Sequence, residues 1–74
     1  MQDQIEFRRK LGARVRKLRE QKGWSQETFA HETGMARSFT SALENGKKDI
    51  RLSTIFKLCD IFGLTIRQLL KNLE

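Results

Sequence analysis

Apolar positions recur every three or four residues along most of this chain, and the breaks in that rhythm coincide with glycine. Phe7, Leu11, Val15 and Leu18 fall on one face of a helix expected from about Asp3 to Gln21, so residues 1–10 extend this first element. Gly23 supplies its stop. Gly12, inside it, costs about 1 kcal/mol relative to alanine, which predicts a close neighbour at that point. Ser25 is a good N-cap for a second helix ending near Thr33. Trp24 before the cap and Phe29 at the fourth helical position have the spacing of a hydrophobic staple.

The third helix is expected from about Arg37 to Glu44, ended by Asn45-Gly46. The fourth runs from about Leu52 to Phe62, and Gly63 stops it. Ile55, Phe56, Leu58, Cys59, Ile61 and Phe62 cover more than half of its circumference, so it is expected to be buried on several sides. The fifth starts at Thr65, where Thr65 and Gln68 have capping-box spacing and Leu64 and Leu69 staple spacing. Ile66, Leu69, Leu70 and Leu73 form one stripe on it. Strand signals, proline and internal repeats are absent from the sequence. The expected fold class is all-α, a compact bundle of five helices. The link between the second and third, Thr33 to Ala36, is very short and contains Gly34, which is the helix-turn-helix signature.

Length changes this picture in one respect. Seventy-four residues make one domain, 1–74, and a chain this short buries only about 60% of the surface it exposes when unfolded. The stripe of Ile66, Leu69, Leu70 and Leu73 either packs back on its own chain or is shared. We expect part of it, with the apolar surplus on the fourth helix, to be covered by a second copy in a homodimer.

Charge supplies the first functional hint. The net charge is +6, which favours a polyanionic partner, nucleic acid above all. Arg8, Arg9, Lys10, Arg14, Arg16, Lys17, Arg19 and Lys22 face a single acid, Glu20, within their stretch. A solvated helix face explains such a run equally well. No apolar run approaches the roughly 20 residues of a membrane span, and the charged start has no leader-like segment, so a cytoplasmic protein without membrane association is expected. One histidine, His31, and one cysteine, Cys59, far apart, supply neither a metal site nor a disulfide. Cys59 reads as a small buried apolar side chain and His31 as a helix-surface residue. No cofactor is expected. Acid–base catalysis needs a positioned pair of groups in a pocket, whereas the acids here are scattered, so an enzyme is not expected.

From Leu11 to Leu70 the chain resembles the Cro and phage-repressor type of helix-turn-helix regulator, the XRE family. The resemblance is carried by Leu18-Arg19-Glu20, Gly23-Trp24-Ser25-Gln26-Glu27, Ala30, Gly34-Met35, Arg37-Ser38, Leu43-Glu44-Asn45-Gly46-Lys47, Leu52, Leu58, Phe62-Gly63-Leu64 and Leu69-Leu70. Any one piece is weak, but the ordered set is specific. The stretch from Arg37-Ser38-Phe39 to Lys47-Lys48 is also similar to controller proteins of restriction–modification systems. The resemblance implies a lambda-repressor-like DNA-binding domain and a regulator of transcription acting on double-stranded DNA. It makes the third helix the one that enters the major groove, and a dimer would meet a partly palindromic operator.

Base contacts are then expected from Ala36, Arg37, Ser38, Ser41 and Ala42. Arg37 is suited to the O6 and N7 of guanine, a serine hydroxyl to a base or a phosphate, and Ala36 to a thymine methyl. Phosphate contacts are expected from Gln26 at the start of the second helix and from Asn45, Lys47, Lys48 and Arg51. The resemblance also implies an ion pair of Arg19 with Glu44, which makes Arg19 structural. Trp24 and Phe29 read as core and not as a stacking platform for single strands. RNA is disfavoured because the major groove of A-form RNA is deep and narrow. A protein-interaction module on the same fold, an antitoxin or anti-regulator holding a protein partner on the Ile66 and Leu73 surface, is the alternative.

Three departures from the family pattern stand out. Ala36 and Arg51 occupy positions where the family often has Ser or Thr caps, each substitution costing about 1 kcal/mol. Thr33 and Thr40 replace apolar residues, so each hydroxyl needs a partner. Asp49-Ile50 replaces a frequent Asn-Pro.

Overall fold

A computed structural model describes residues 2–73. Among these there are five helices and no strand: α1 (Gln2–Gln21), α2 (Gln26–Thr33), α3 (Arg37–Glu44), α4 (Leu52–Phe62) and α5 (Ile66–Leu69). The periodic residues of α1 meet those of the other helices in one core of Leu11, Val15, Phe29, Leu43, Ile55, Leu58, Cys59, Leu69 and Leu73. Phe29 is fully buried and stacks on Phe62, with ring centroids 5.8 Å apart. Trp24 lies against Phe29 at 6.4 Å, so the staple of α2 forms as its spacing requires.

Local chemistry sets the helix ends. Ser25 Oγ accepts the Thr28 N–H at 3.1 Å and caps α2. Thr65 and Gln68 close a full capping box on α5. Ala36 and Arg51 begin α3 and α4 with no side-chain cap, as their side chains dictate. The two buried threonines satisfy their own hydroxyls. Thr33 Oγ1 donates to the Phe29 carbonyl at 2.8 Å and accepts the Met35 N–H at 3.2 Å, while Thr40 Oγ1 donates to the Ala36 carbonyl at 3.3 Å. Such back-bonding is what a hydroxyl inside a helix can do without a tertiary partner.

Gly12 explains how closely α1 and α3 approach. A Cβ at this position would strike the Leu43 carbonyl oxygen and lie 2.7 Å from that of Glu44. The end of α3 therefore rests directly on the α1 backbone, which is the close neighbour that a glycine inside a helix predicts.

One expectation about apolar surface needs correction. The stripe of Ile66, Leu69, Leu70 and Leu73 is not one helix face open to a partner. The helical part of this segment is only four residues long, and Asn72, at φ 65°, turns the chain so that Leu73 folds back into the core. Asparagine is among the few non-glycine residues that adopt this left-handed conformation readily. Leu69 is fully buried and Leu73 nearly so, whereas Leu70 is half-buried and Ile66 is exposed. Leu69 and Leu73 are thus consumed by their own chain, and an Ile66 and Leu73 surface for a protein partner does not exist as drawn. α4 buries Ile55, Leu58 and Cys59 and leaves an apolar surplus on another face. Leu52 is 61% exposed and Phe56 is 50% exposed. They lie four residues apart and so share one face of the helix.

Candidate nucleic-acid interface

The turn between α2 and α3 passes through Gly34, whose positive φ of 74° ends α2. Thr33 Oγ1 takes up the Met35 N–H in that turn. α3 therefore starts at Arg37, with Ala36, Arg37 and Ser38 exposed and Ser41 and Ala42 half-buried one turn on. Its inner side is fixed by the buried Thr40, Leu43 and Glu44.

Glu44 organises the polar part of this surface. Arg19 Nε and Nη2 donate to its two carboxylate oxygens at 2.6 and 3.1 Å, and Arg19 Nη1 donates to the Trp24 carbonyl at 2.7 Å. Both residues of the pair are buried. The bond to Glu44, more than any other influence, holds the Arg19 guanidinium above its ordinary pKa. Removing either partner would strand a buried charge. Arg19 is committed to the interior, as the resemblance implied.

Gln26 carries the network outward. Its Nε2 donates to Glu44 Oε1 at 3.1 Å, which turns the carboxamide oxygen towards α3. That oxygen accepts from Arg37 Nε and Nη2, each at 3.4 Å. Glu27 approaches Arg37 Nη1 at 3.8 Å, with both side chains largely exposed. A continuous chain thus runs from the buried Arg19, through Glu44 and Gln26, to the exposed Arg37. The second hydrogen of the Gln26 Nε2 is not used by Glu44 and can still donate to a phosphate.

At the other end of α3, Asn45 Nδ2 donates to the Ser41 carbonyl at 2.9 Å and ties down the last turn. Lys47, Lys48 and Arg51 follow in an exposed segment, and among the described residues none of the three has an acid within 4.0 Å. Lys48 Nζ sits 5.9 Å from the Phe39 ring centroid. A cleft of about 500 Å³ between Phe39, Lys48, Arg51 and Thr54 separates this segment from α4. Asp49 also lines this cleft, and its Oδ1 lies 3.9 Å from Arg8 Nη2. The structure thus joins Gln26 to Arg37 directly and gathers Lys48 and Arg51 around one cleft.

Sequence reasoning missed two members of the surface. Arg16 Nε lies 4.0 Å from Glu44 Oε1 and 3.7 Å from Glu20, at the edge of the Glu44 network. Phe39 is half-buried and supports Lys48. A long-range approach such as that of Arg16 to Glu44 leaves no mark in spacing, whereas an aromatic inside α3 was a visible cue. Cys59 is buried, and that burial pushes its thiol pKa up, with a smaller contribution from Asp60. His31 is exposed. Among the described residues there is no cluster of metal-ligating side chains, and no helix is long and apolar enough to cross a membrane.

Known proteins are similar to this chain in sequence and in fold. The chain is 38% identical over 68 residues to a protein of Neisseria meningitidis serogroup B named as a hypothetical transcription factor, covering 92% of this chain and 64% of that relative. It is 33% identical to the control protein C.MunI of a Mycoplasma species, over 88% of this chain and 89% of that one. The crystal structure of the restriction–modification controller protein C.AhdI from Aeromonas hydrophila superposes with a TM-score of 0.74 at 36% identity, over 93% of this chain and 98% of that one. The helix-turn-helix family model matches residues 15–69, which contain α2, α3 and the Arg19–Glu44–Gln26–Arg37 chain, and this protein belongs to that family of DNA-binding regulators of the XRE type.

Proposed function

We propose that this protein is a sequence-specific regulator of transcription that places α3 in the major groove of duplex DNA. Arg37 carries the proposal. It stands exposed at the start of α3, and it is steadied by a glutamine that is itself anchored on a buried ion pair. A guanidinium so placed suits the O6 and N7 of guanine. Ser38, Ser41, Ala36 and Ala42 form the remaining reading surface. Gln26, Asn45, Lys47, Lys48 and Arg51 hold the backbone on either side, which fixes register without reading sequence. The likeness to two controller proteins supports a similar regulatory role in the cytoplasm.

The DNA-bound form is a twofold dimer on a partly palindromic operator, with half-sites about one helical turn apart. Leu52 and Phe56 on α4, with Ile66 on α5, supply the self-complementary patch, because three large apolar side chains 40–61% exposed favour burial against a partner. This patch takes the place of the Leu69 and Leu73 surface expected from sequence.

Selection of binders from a random duplex library, followed by sequencing, tests the reading. A twofold-repeated motif is the expected result. Equal retention of all sequences, vanishing at moderate salt, would reduce the activity to backbone attraction and overturn it. In sedimentation, Phe56→Ser should shift the protein towards monomer while the helical circular dichroism is retained. An unchanged dimer would move the interface elsewhere.

A further inference from the structure

The charge on α1 has a place in this surface that its sequence does not reveal. Glu6, Arg9, Lys10 and Ala13 of α1 line a cleft of about 540 Å³ together with Glu44 and Asn45 at the end of α3. The cleft lies beside the turn that follows α3, because a Cβ on Gly46 would stand 2.8 Å from the Arg9 Cα. Arg9 is thus held by its own backbone against the segment that leads into Lys47 and Lys48.

The electrostatics of the cleft are those of an anion site. Glu44 is already neutralised by two hydrogen bonds from Arg19. Glu6 is matched by Lys10 at 3.8 Å, a pair with both side chains about half exposed. Among the described residues Arg9 has no acid within 4.0 Å, so with Arg19 set against Glu44 and Lys10 against Glu6 its guanidinium is the charge left over at the cleft. Its position at the end of α3 puts it where the edge of the major groove would run if α3 lies in that groove.

We propose that Arg9 and Lys10 each bind a backbone phosphate of the DNA at the rim of the groove occupied by α3, making α1 a second clamp in addition to Gln26. This rests on the DNA-binding reading above. The exposed face of α1 is then a working part of the interface and not only a solvated one. A phosphate contact carries no base information, so its signature is salt dependence without a change in preferred sequence.

The test measures duplex binding against salt concentration for the full chain, on the sequence recovered by selection. Each phosphate contact contributes about one to the slope of log affinity against log salt. Arg9→Gln/Lys10→Gln should lower the slope by about two, weaken binding to all sequences alike and leave the selected motif unchanged. Lys10→Gln alone, which leaves the Arg9 packing intact, should lower it by about one and covers the case in which the double variant does not fold. Lys71→Gln, which removes one positive charge from a residue that does not line this cleft, should leave the slope as it was. The proposal is overturned if the slope of Lys10→Gln equals that of the unmodified protein, or if Lys71→Gln lowers it as much. If the unmodified protein itself shows no sequence preference, the DNA-binding reading fails first, and this clamp with it.

Discussion

Arg37 rests on Gln26, its Nε and Nη2 both 3.4 Å from the carboxamide oxygen. At an exposed position such long hydrogen bonds hold a side chain without trapping it. The guanidinium is oriented in the free protein at small cost and, on the function proposed above, turns to a base when DNA arrives.

The two residues should therefore be coupled in recognition. Arg37→Ala should cost about 1–3 kcal/mol of binding and relax one base position of the motif. Gln26→Ala should weaken binding and broaden the preference at that same position, since Arg37 loses its support. A double-mutant cycle on DNA affinity should be clearly non-additive. Additive losses, with Gln26→Ala leaving the preference untouched, would mean that Gln26 acts on the backbone alone.

The buried pair of Arg19 with Glu44 should dominate stability. Glu44→Ala leaves a buried guanidinium unmatched and should cost about 3–5 kcal/mol, read from the urea midpoint at constant m-value. Arg19→Met should cost a similar amount. Arg19→Met/Glu44→Leu should recover much of the loss, because an apolar pair strands no charge. Full additivity of the two single losses would contradict this account.

Gly12 provides a test of the α1–α3 approach. Alanine has the higher helix propensity by about 1 kcal/mol, so on local grounds Gly12→Ala should stabilise. The carbonyl of Glu44, 2.7 Å from the added methyl, forces the opposite sign. We expect a net loss of about 1–3 kcal/mol from overpacking, measured as a lower thermal midpoint. A raised midpoint would show that α1 and α3 can separate freely.

The uncapped start of α3 offers a gain. Ala36→Ser places a hydroxyl where the backbone N–H groups of α3 have no side-chain partner, and should stabilise the free protein by about 1 kcal/mol. If a phosphate or base supplies that cap on binding, the same variant should bind operator less tightly than its stability suggests. Unchanged affinity in Ala36→Ser and in Arg51→Ser would remove the idea that DNA completes these caps.

The helices and their order were legible because their signals are local. Spacing of three and four, a serine or threonine cap, a staple pair and a glycine stop each act within one or two turns of chain, so α2, α3 and α4 stand where these cues place them. The placement of Arg37 and Gln26 at the starts of α3 and α2 also needed only such local cues. The end of the chain was misread for the converse reason. A stripe of Ile66, Leu69, Leu70 and Leu73 assumes a helix that continues, and whether it does depends on what the core can take up. The core draws in Leu69 and Leu73 through the turn at Asn72 and leaves Leu52, Phe56 and Ile66 outside.

The sequence by itself determined the five helices, the short turn between α2 and α3 and the glycine contact of α1. The tertiary structure alone decided which apolar side chains remain for a partner, that Gln26 turns its carboxamide from Glu44 to Arg37, and that Arg9 and Lys10 lie at the end of α3. These last depend on residues brought together across 11 to 37 positions of chain, where packing and burial, and not propensity, set the outcome.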